Sequence, residues 1–298
     1  MTTTPATTFD FGIQPPAYRL PANARIGRIR LAVSNLSRSI DFYTRIIGLR
    51  ILSSQDSLAS LAPCDDNRIL LELQQLPGVQ PIQPGSRLGL YHPAFLLPTR
   101  EDLGRFVRHL HRHDVPFGAG DHLYSEALYL TDPDGLTVEV YADRDRSTWK
   151  IDGRELVSAT NPVRLGELAA LSTEPWEGLP AATTIGHVHF YVGNLKQAAS
   201  FYHDALGLDL ITWRYPGALF LSAGGYHHHV AVNTWAAGSP PASETDARLL
   251  FWELALPSFH DISRAATSLR AAGIASISSP DGAAVFTDPW GIRVVLVT

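Results

Sequence analysis

The chain predicts an α+β fold of four β-α-β-β-β modules, and three observations carry that prediction. The first is an internal repeat. Ile26-Gly-Arg-Ile-Arg-Leu-Ala-Val-Ser-Asn-Leu36, followed by Asp41-Phe-Tyr-Thr-Arg-Ile-Ile-Gly-Leu49, returns as Ile185-Gly-His-Val-His-Phe-Tyr-Val-Gly-Asn-Leu195 and Ser200-Phe-Tyr-His-Asp-Ala-Leu-Gly-Leu208. Aligned pairs keep one offset of 159 positions (Ile26/Ile185, Phe42/Phe201, Gly48/Gly207), so a structural unit is duplicated. The second is that each half passes twice from strand pattern to helix pattern and back. The third is a pair of matching turn strings, Asp132-Pro-Asp-Gly135 and Asp288-Pro-Trp-Gly291, each suited to a tight hairpin.

In the first module Ile29 to Val33 reads as a strand, and Asn35 or Ser37 can cap a helix whose Ile40, Tyr43 and Ile47 share a face before Gly48 ends it. Leu49 to Ser53, Leu58 to Ala62 and Ile69 to Leu73 supply its remaining strands. The second module runs through a strand at Leu90 to Leu97, a helix over Thr99 to His113, and strands at Ala127 to Thr131 and Thr137 to Tyr141. The third spans about Thr184 to Trp235, and the fourth Leu249 to Val297 with a helix over Ser258 to Ala272. Residues 1–24, rich in Thr, Pro and Ala, read as an irregular arm. Residues 25–145 make a first domain of modules one and two, and 183–298 a second of modules three and four. Between them 146–182, with Pro162, Pro175 and Pro180 and little periodicity, is a linker or wrapping segment.

Composition narrows the function. A chain of 298 residues, 45% hydrophobic and 18% charged, has ample material for buried cores and suits two domains. A formal charge of -5 without a Lys/Arg cluster argues against a nucleic-acid partner. The lone Cys64 cannot form an internal disulfide, which makes a cytoplasmic location the default expectation. No apolar run is long enough for a membrane span, and the Thr-rich start is unlike a signal peptide.

Gly186-His-Val-His189 opens module three, and Asp132-Pro-Asp-Gly-x-x-x-Glu139 closes module two. These strings, on four such modules, resemble the vicinal oxygen chelate superfamily, which includes glyoxalases, bleomycin-resistance proteins and extradiol ring-cleaving dioxygenases. Gly225-Tyr-His-His-His-Val-Ala-Val-Asn-Thr-Trp235 resembles the catechol 2,3-dioxygenase-like branch, and the resemblance covers nearly all of the chain from about residue 25. It implies two cupped mixed sheets made of paired modules, with a metal held inside by the first and last strands of a module.

At those strand positions module one offers Arg28, module two His92 and Glu139, module three His187, and module four Phe251 and Val295. Two imidazoles and one carboxylate can bind an ion facially and leave positions open. The fourth module lacks ligands although the commonest extradiol pattern draws two from it. The set His92, Glu139, His187 is complete only if modules two and three pair across the domain boundary. Taken singly, His92 could be a core histidine and Glu139 the solvent-facing member of an alternating strand. His189, two residues past His187, is the rival ligand or a supporting partner, and Glu72 on module one's last strand is another candidate.

The resemblance also assigns acid-base work to a histidine on the last strand of the module before the metal-rich one, which falls on His228; a surface histidine cluster is the plain alternative. Regular alternation there would turn His227 and His229 away from the side His228 faces. His122 and Tyr129 match a histidine and a tyrosine expected near the substrate diol, with His122 placed only by allowing a gap. His109, His111 and His113 read as solvated.

The first functional expectation is an extradiol dioxygenase acting on a small aromatic diol with O2 and Fe(II), or Mn(II) in its place, as a single chain or a homo-oligomer. The second is a glyoxalase-like isomerase or thiol transferase, whose sites generally supply two carboxylates. The third is a metal-free binding protein of the bleomycin-resistance kind, with a cleft that Trp213, Trp235 and Trp252 could line.

Overall fold

The computed structural model describes residues 11–278 and 282–298; the first ten residues of the expected arm lie outside them. Two eight-stranded mixed sheets dominate. In one the order is Asp209–Thr212, Ala218–Ser222, Val230–Asn233, Thr184–Tyr191, Gly89–Leu96, Thr137–Asp143, Ser125–Thr131, Gly118–Asp121. This sheet joins module three to module two through the antiparallel pair Thr184–Tyr191 and Gly89–Leu96. The other sheet joins modules four and one through Arg248–Ala255 and Arg25–Val33. Each sheet therefore draws one module from either half of the chain.

Alternation along the strands decides what each sheet buries. Val188 and Phe190 are fully buried and enter the core with Ile29, Leu31 and Trp252 from the other sheet, while His187 and His189 take the opposite face. Each such fully buried apolar side chain stabilises the fold by roughly 1.5–3 kcal/mol. The two module-joining ladders are bulged at corresponding places, with Gly186 and Tyr91 unpaired in one and a register shift at the repeat-related positions of the other. Bulges re-aim side chains beside sites. At Gly186 the reason is visible: a Cβ there would lie 1.9 Å from the Tyr141 hydroxyl.

The predicted cap at Asn35 holds, with local differences. Asn35 accepts from the Arg38 amide at 2.9 Å and caps Leu36–Asp41, which continues as a wider turn through Phe42–Ile47 to Gly48 at φ 93°. Thr99 and Ser258 cap the helices Arg100–Arg112 and Phe259–Ala271. Module one's last strand is Leu71–Gln75, two residues later than its composition suggests, because it takes its register from Arg25–Val33. Short edge strands, Gly118–Asp121 and Ser276–Ser278, were not expected. His109 is not solvated: it is buried, contacts the Arg45 carbonyl at 3.1 Å, and burial lowers its pKa.

The turn aspartates brace one module against the next. Asp132 Oδ1 accepts from the Asp134 and Leu136 amides, and Tyr43 of module one donates to its Oδ2 at 3.1 Å. Asp288 repeats this with Tyr202 at 3.0 Å. Burial pushes Asp132 up to about 7 and Asp288 to about 6.

Residues 146–182 carry a short helix, Leu165–Ala169, and a two-stranded hairpin, Ile151–Asp152 with Glu155–Leu156. The described part of the arm packs on module three, where Arg19 grips Asp209 at 2.8 and 2.6 Å. Among the described residues no helix is long and apolar enough to cross a membrane.

Candidate metal centre

The site begins as a row of residues across four strands. Tyr129 pairs with Glu139, Glu139 with Ala94, and Ala94 with His187, so these four share one face side by side. His92 lies two residues from Ala94 and projects to the same face. Because Ala94 contributes only a methyl group, the side chains of Glu139 and His187 can lean over it toward His92. His92 Nε2 lies 2.9 Å and His187 Nε2 3.2 Å from the same atom, Glu139 Oε2. One ligand atom from each residue falls within 4.8 Å of the others, and each residue is about 2% exposed.

The chemistry of the set fits a divalent cation. The contact of His92 with Glu139 is off line for a hydrogen bond, which leaves both His92 ring nitrogens, and Nδ1 of His187, buried without partners. Buried polar atoms in that condition are costly unless something else satisfies them. Burial lowers His187 to about 4 against the pull of Glu139. Burial alone would raise the Glu139 carboxyl, but His187 and His92 outweigh it and hold it well below the ordinary range. Two neutral imidazoles and a carboxylate are the protonation states that metal binding requires.

The other candidates fall into place around this centre. His189 is 4.9 Å from His92 between ring centres, but its Nε2 already accepts from Asn233 Nδ2 at 2.9 Å. Glu72 is in the other sheet, bound to Arg28 at 3.2 Å and Arg30 at 2.8 Å, away from these ligands. The His228 ring lies 4.1 Å from that of His187, tilted by 49°, and is held well below its usual pKa by burial and by His187 and His227. It sits just before the strand Val230–Asn233, so the expected alternation fails: His227 lies beside it, Nδ1 to Nδ1 at 2.7 Å. His229 turns away, accepts from the Ala223 amide, and is lowered to about 3 by burial.

His122 and Tyr129 meet at 2.6 Å. His122 Nδ1 is 2.8 Å from the Ala159 carbonyl, which can only accept, so in the neutral ring Nδ1 carries the proton and Nε2 accepts from the Tyr129 hydroxyl. Burial, then Glu139, raises Tyr129 far above the usual phenol value and keeps it a donor.

These groups line one cavity of about 490 Å³. Its walls include Tyr91, Tyr215, Phe220, Trp235, Ser158 and Thr160 and, among the described residues, no Lys or Arg. Sequence reasoning missed Tyr91, which the bulge turns inward, and the contribution of Ser158, Ala159 and Thr160 from a segment read only as a linker. The adjacency of Tyr91 to His92 was the one available signal.

Comparison with known proteins agrees with this architecture. The model of the Glyoxalase/Bleomycin resistance protein/Dioxygenase superfamily matches residues 25–140 and 184–296. The chain belongs to that superfamily. It is 40% identical over 272 residues to catechol-2,3-dioxygenase of Bacillus subtilis (strain 168), covering 90% of this chain and 94% of the relative. Biphenyl-2,3-diol 1,2-dioxygenase 3 of Rhodococcus globerulus is 24% identical, over 51% of this chain and 89% of its own length. Among solved structures, one from Bacillus subtilis subsp. subtilis str. 168 superposes with a TM-score of 0.64 at 12% identity (94% of this chain, 86% of that one). Glyoxalase I from Zea mays does so with 0.57 at 18% (92% of each). These superpositions concern the fold alone.

Proposed function

We propose that the protein is an extradiol dioxygenase that opens a catechol-type ring beside its vicinal hydroxyls and places both atoms of O2 in the product. The observation that carries this reading is the meeting of His92, Glu139 and His187 in an aromatic-walled cavity beside His228, in a homologue of catechol-2,3-dioxygenase. Iron(II) held by those three residues would chelate the diol and activate oxygen; Mn(II) suits the same ligands. His228, neutral and against His187, takes a proton from a substrate hydroxyl and returns one to the product. Tyr129, kept protonated and donating its hydroxyl hydrogen to His122, accepts a hydrogen bond from a hydroxyl of the diol. The aromatic walls take the ring and exclude water, and the absence of Lys and Arg from them favours substrates without a carboxylate.

A two-carboxylate glyoxalase centre finds no support here, since Glu72 is committed to Arg28 and Arg30. The test is purification without oxygen, loading with ferrous iron, and measurement of oxygen uptake and yellow ring-fission product with catechol and alkyl- or aryl-catechols. One O2 consumed per diol is expected. No uptake with any of them at near-stoichiometric iron would sink the reading.

A further inference from the structure

His227 has no place in the reaction as described, yet its ring is fixed on every side. It is 1% exposed, stacks on Tyr124 at 4.5 Å with 18° between planes, and has Tyr226 at 3.9 Å and Trp149 at 5.6 Å. Its Nε2 lies 2.9 Å from Asp143 Oδ1 at the end of the strand that carries Glu139, and its Nδ1 lies 2.7 Å from Nδ1 of His228. Tyr226 also donates to Asp143 Oδ1, at 3.3 Å.

We propose that Asp143 and His227 are positioning residues that fix the proton of His228 on Nδ1, so that its Nε2 offers a lone pair to the cavity. The argument is one of donors and acceptors. A neutral imidazole carries a single N–H, and a carboxylate only accepts. With His227 neutral, the contact with Asp143 places its proton on Nε2 and leaves its Nδ1 an acceptor. The contact between the two Nδ1 atoms is then a hydrogen bond only when His228 is the donor. Of the two rings only His228 lines the cavity, and its remaining nitrogen is Nε2. When Nε2 takes a substrate proton, the charge on His228 is shared along its Nδ1–H to His227 and on to Asp143. The same Nε2 gives the proton back, so the relay is unchanged after each turnover. This is the arrangement by which a carboxylate sets the tautomer of a catalytic imidazole, extended here by one ring and ending on an Asp143 that is 28% exposed.

The kinetic part of this inference rests on the proposed reaction; the tautomer does not. Nitrogen-15 spectra of the metal-free, full-length chain, with the His228 signals assigned by their loss in His228→Gln, are expected to show His228 protonated on Nδ1 and His227 on Nε2. Protonation of His228 on Nε2 would overturn the relay. In the iron-loaded protein, His227→Phe keeps a ring between Tyr124 and Tyr226 but removes the acceptor. It is expected to lower kcat by roughly 10²-fold with KM and iron content unchanged. An unchanged kcat, or a loss traced to iron content and KM, would overturn the proposal. If the parent protein turned over no catechol, the reaction would be wrong, and the spectra would still decide the relay.

Discussion

Superposed through the repeat, the two sheets present one row of positions with different chemistry. The sheet of modules two and three carries Tyr129, Glu139, Ala94 and His187, flanked by His92. The sheet of modules one and four carries Val285, Val295, Glu253 and Arg28, flanked by Phe251. Where the first leaves space above a methyl group, the second is filled by Arg28, which pairs with Glu253 at 2.6 Å and Glu72 at 3.2 Å and lies over Phe251. The backbone is therefore indifferent to metal. It can close its concave face with an internal ion pair or leave ligands converging on an ion, and five side chains select between the two.

The strongest way to break the contrast is to remove a ligand. His187→Ala is expected to abolish iron retention after gel filtration, measured as iron per chain, while Phe251→Ala at the corresponding place of the other sheet retains it. Equal iron in both proteins would show that the ion does not use this row. Filling the space instead of removing a ligand is the next test. Ala94→Leu is expected to weaken metal binding at least 10-fold by titration, at an overpacking cost of about 1–3 kcal/mol; an unchanged affinity would mean that the ligands do not converge over residue 94.

The filled sheet should respond in stability alone. Glu253→Gln weakens the hold on Arg28, half-buried beside Glu72, and is expected to cost about 1–2 kcal/mol in urea unfolding with iron content unchanged. The turn aspartates give the remaining comparison, one that shows only in the pH dependence. Asp132 is raised from 3.8 to about 7 in the folded protein by burial, so its stabilising contribution is complete below the unfolded value and is lost as pH rises through about 7. Asp132→Asn should flatten the fall in unfolding free energy across that interval by up to about 4 kcal/mol. Asp288→Asn should flatten it less, its folded value being about 6. A pH profile identical to the parent's in both variants would remove these carboxyls from the account.

How much of this could be read in advance varied with the kind of signal. The repeat, the cap at Asn35, the starts of the helices at Thr99 and Ser258, and the turn strings are local, and each acts within a few residues. The meeting of His92, Glu139 and His187 required modules two and three to share a sheet, which the distribution of ligand types across modules indicated and the strand pairing provides. Tyr91 escaped because a bulge, invisible in residue pattern, cancels one step of alternation. His227 was placed facing away because His227 to His229 were taken as regular strand. Ser158 and Thr160 reach the cavity, and the Ala159 carbonyl reaches His122, from an aperiodic segment whose path depends on tertiary contacts such as that of Thr160 with Tyr215 at 2.9 Å.

The crossed pairing of modules has a consequence for the chain as a polymer. Each half alone would leave a central strand of each sheet, Arg25–Val33 and Gly89–Leu96 in one half, Thr184–Tyr191 and Arg248–Ala255 in the other, without its widest partner. Such bare edges invite wrong pairing. Two polypeptides severed near residue 153, at the exposed tip of the hairpin formed by Ile151–Asp152 and Glu155–Leu156, would thus be obligate complements, each insoluble by itself and together able to restore both concave faces at once.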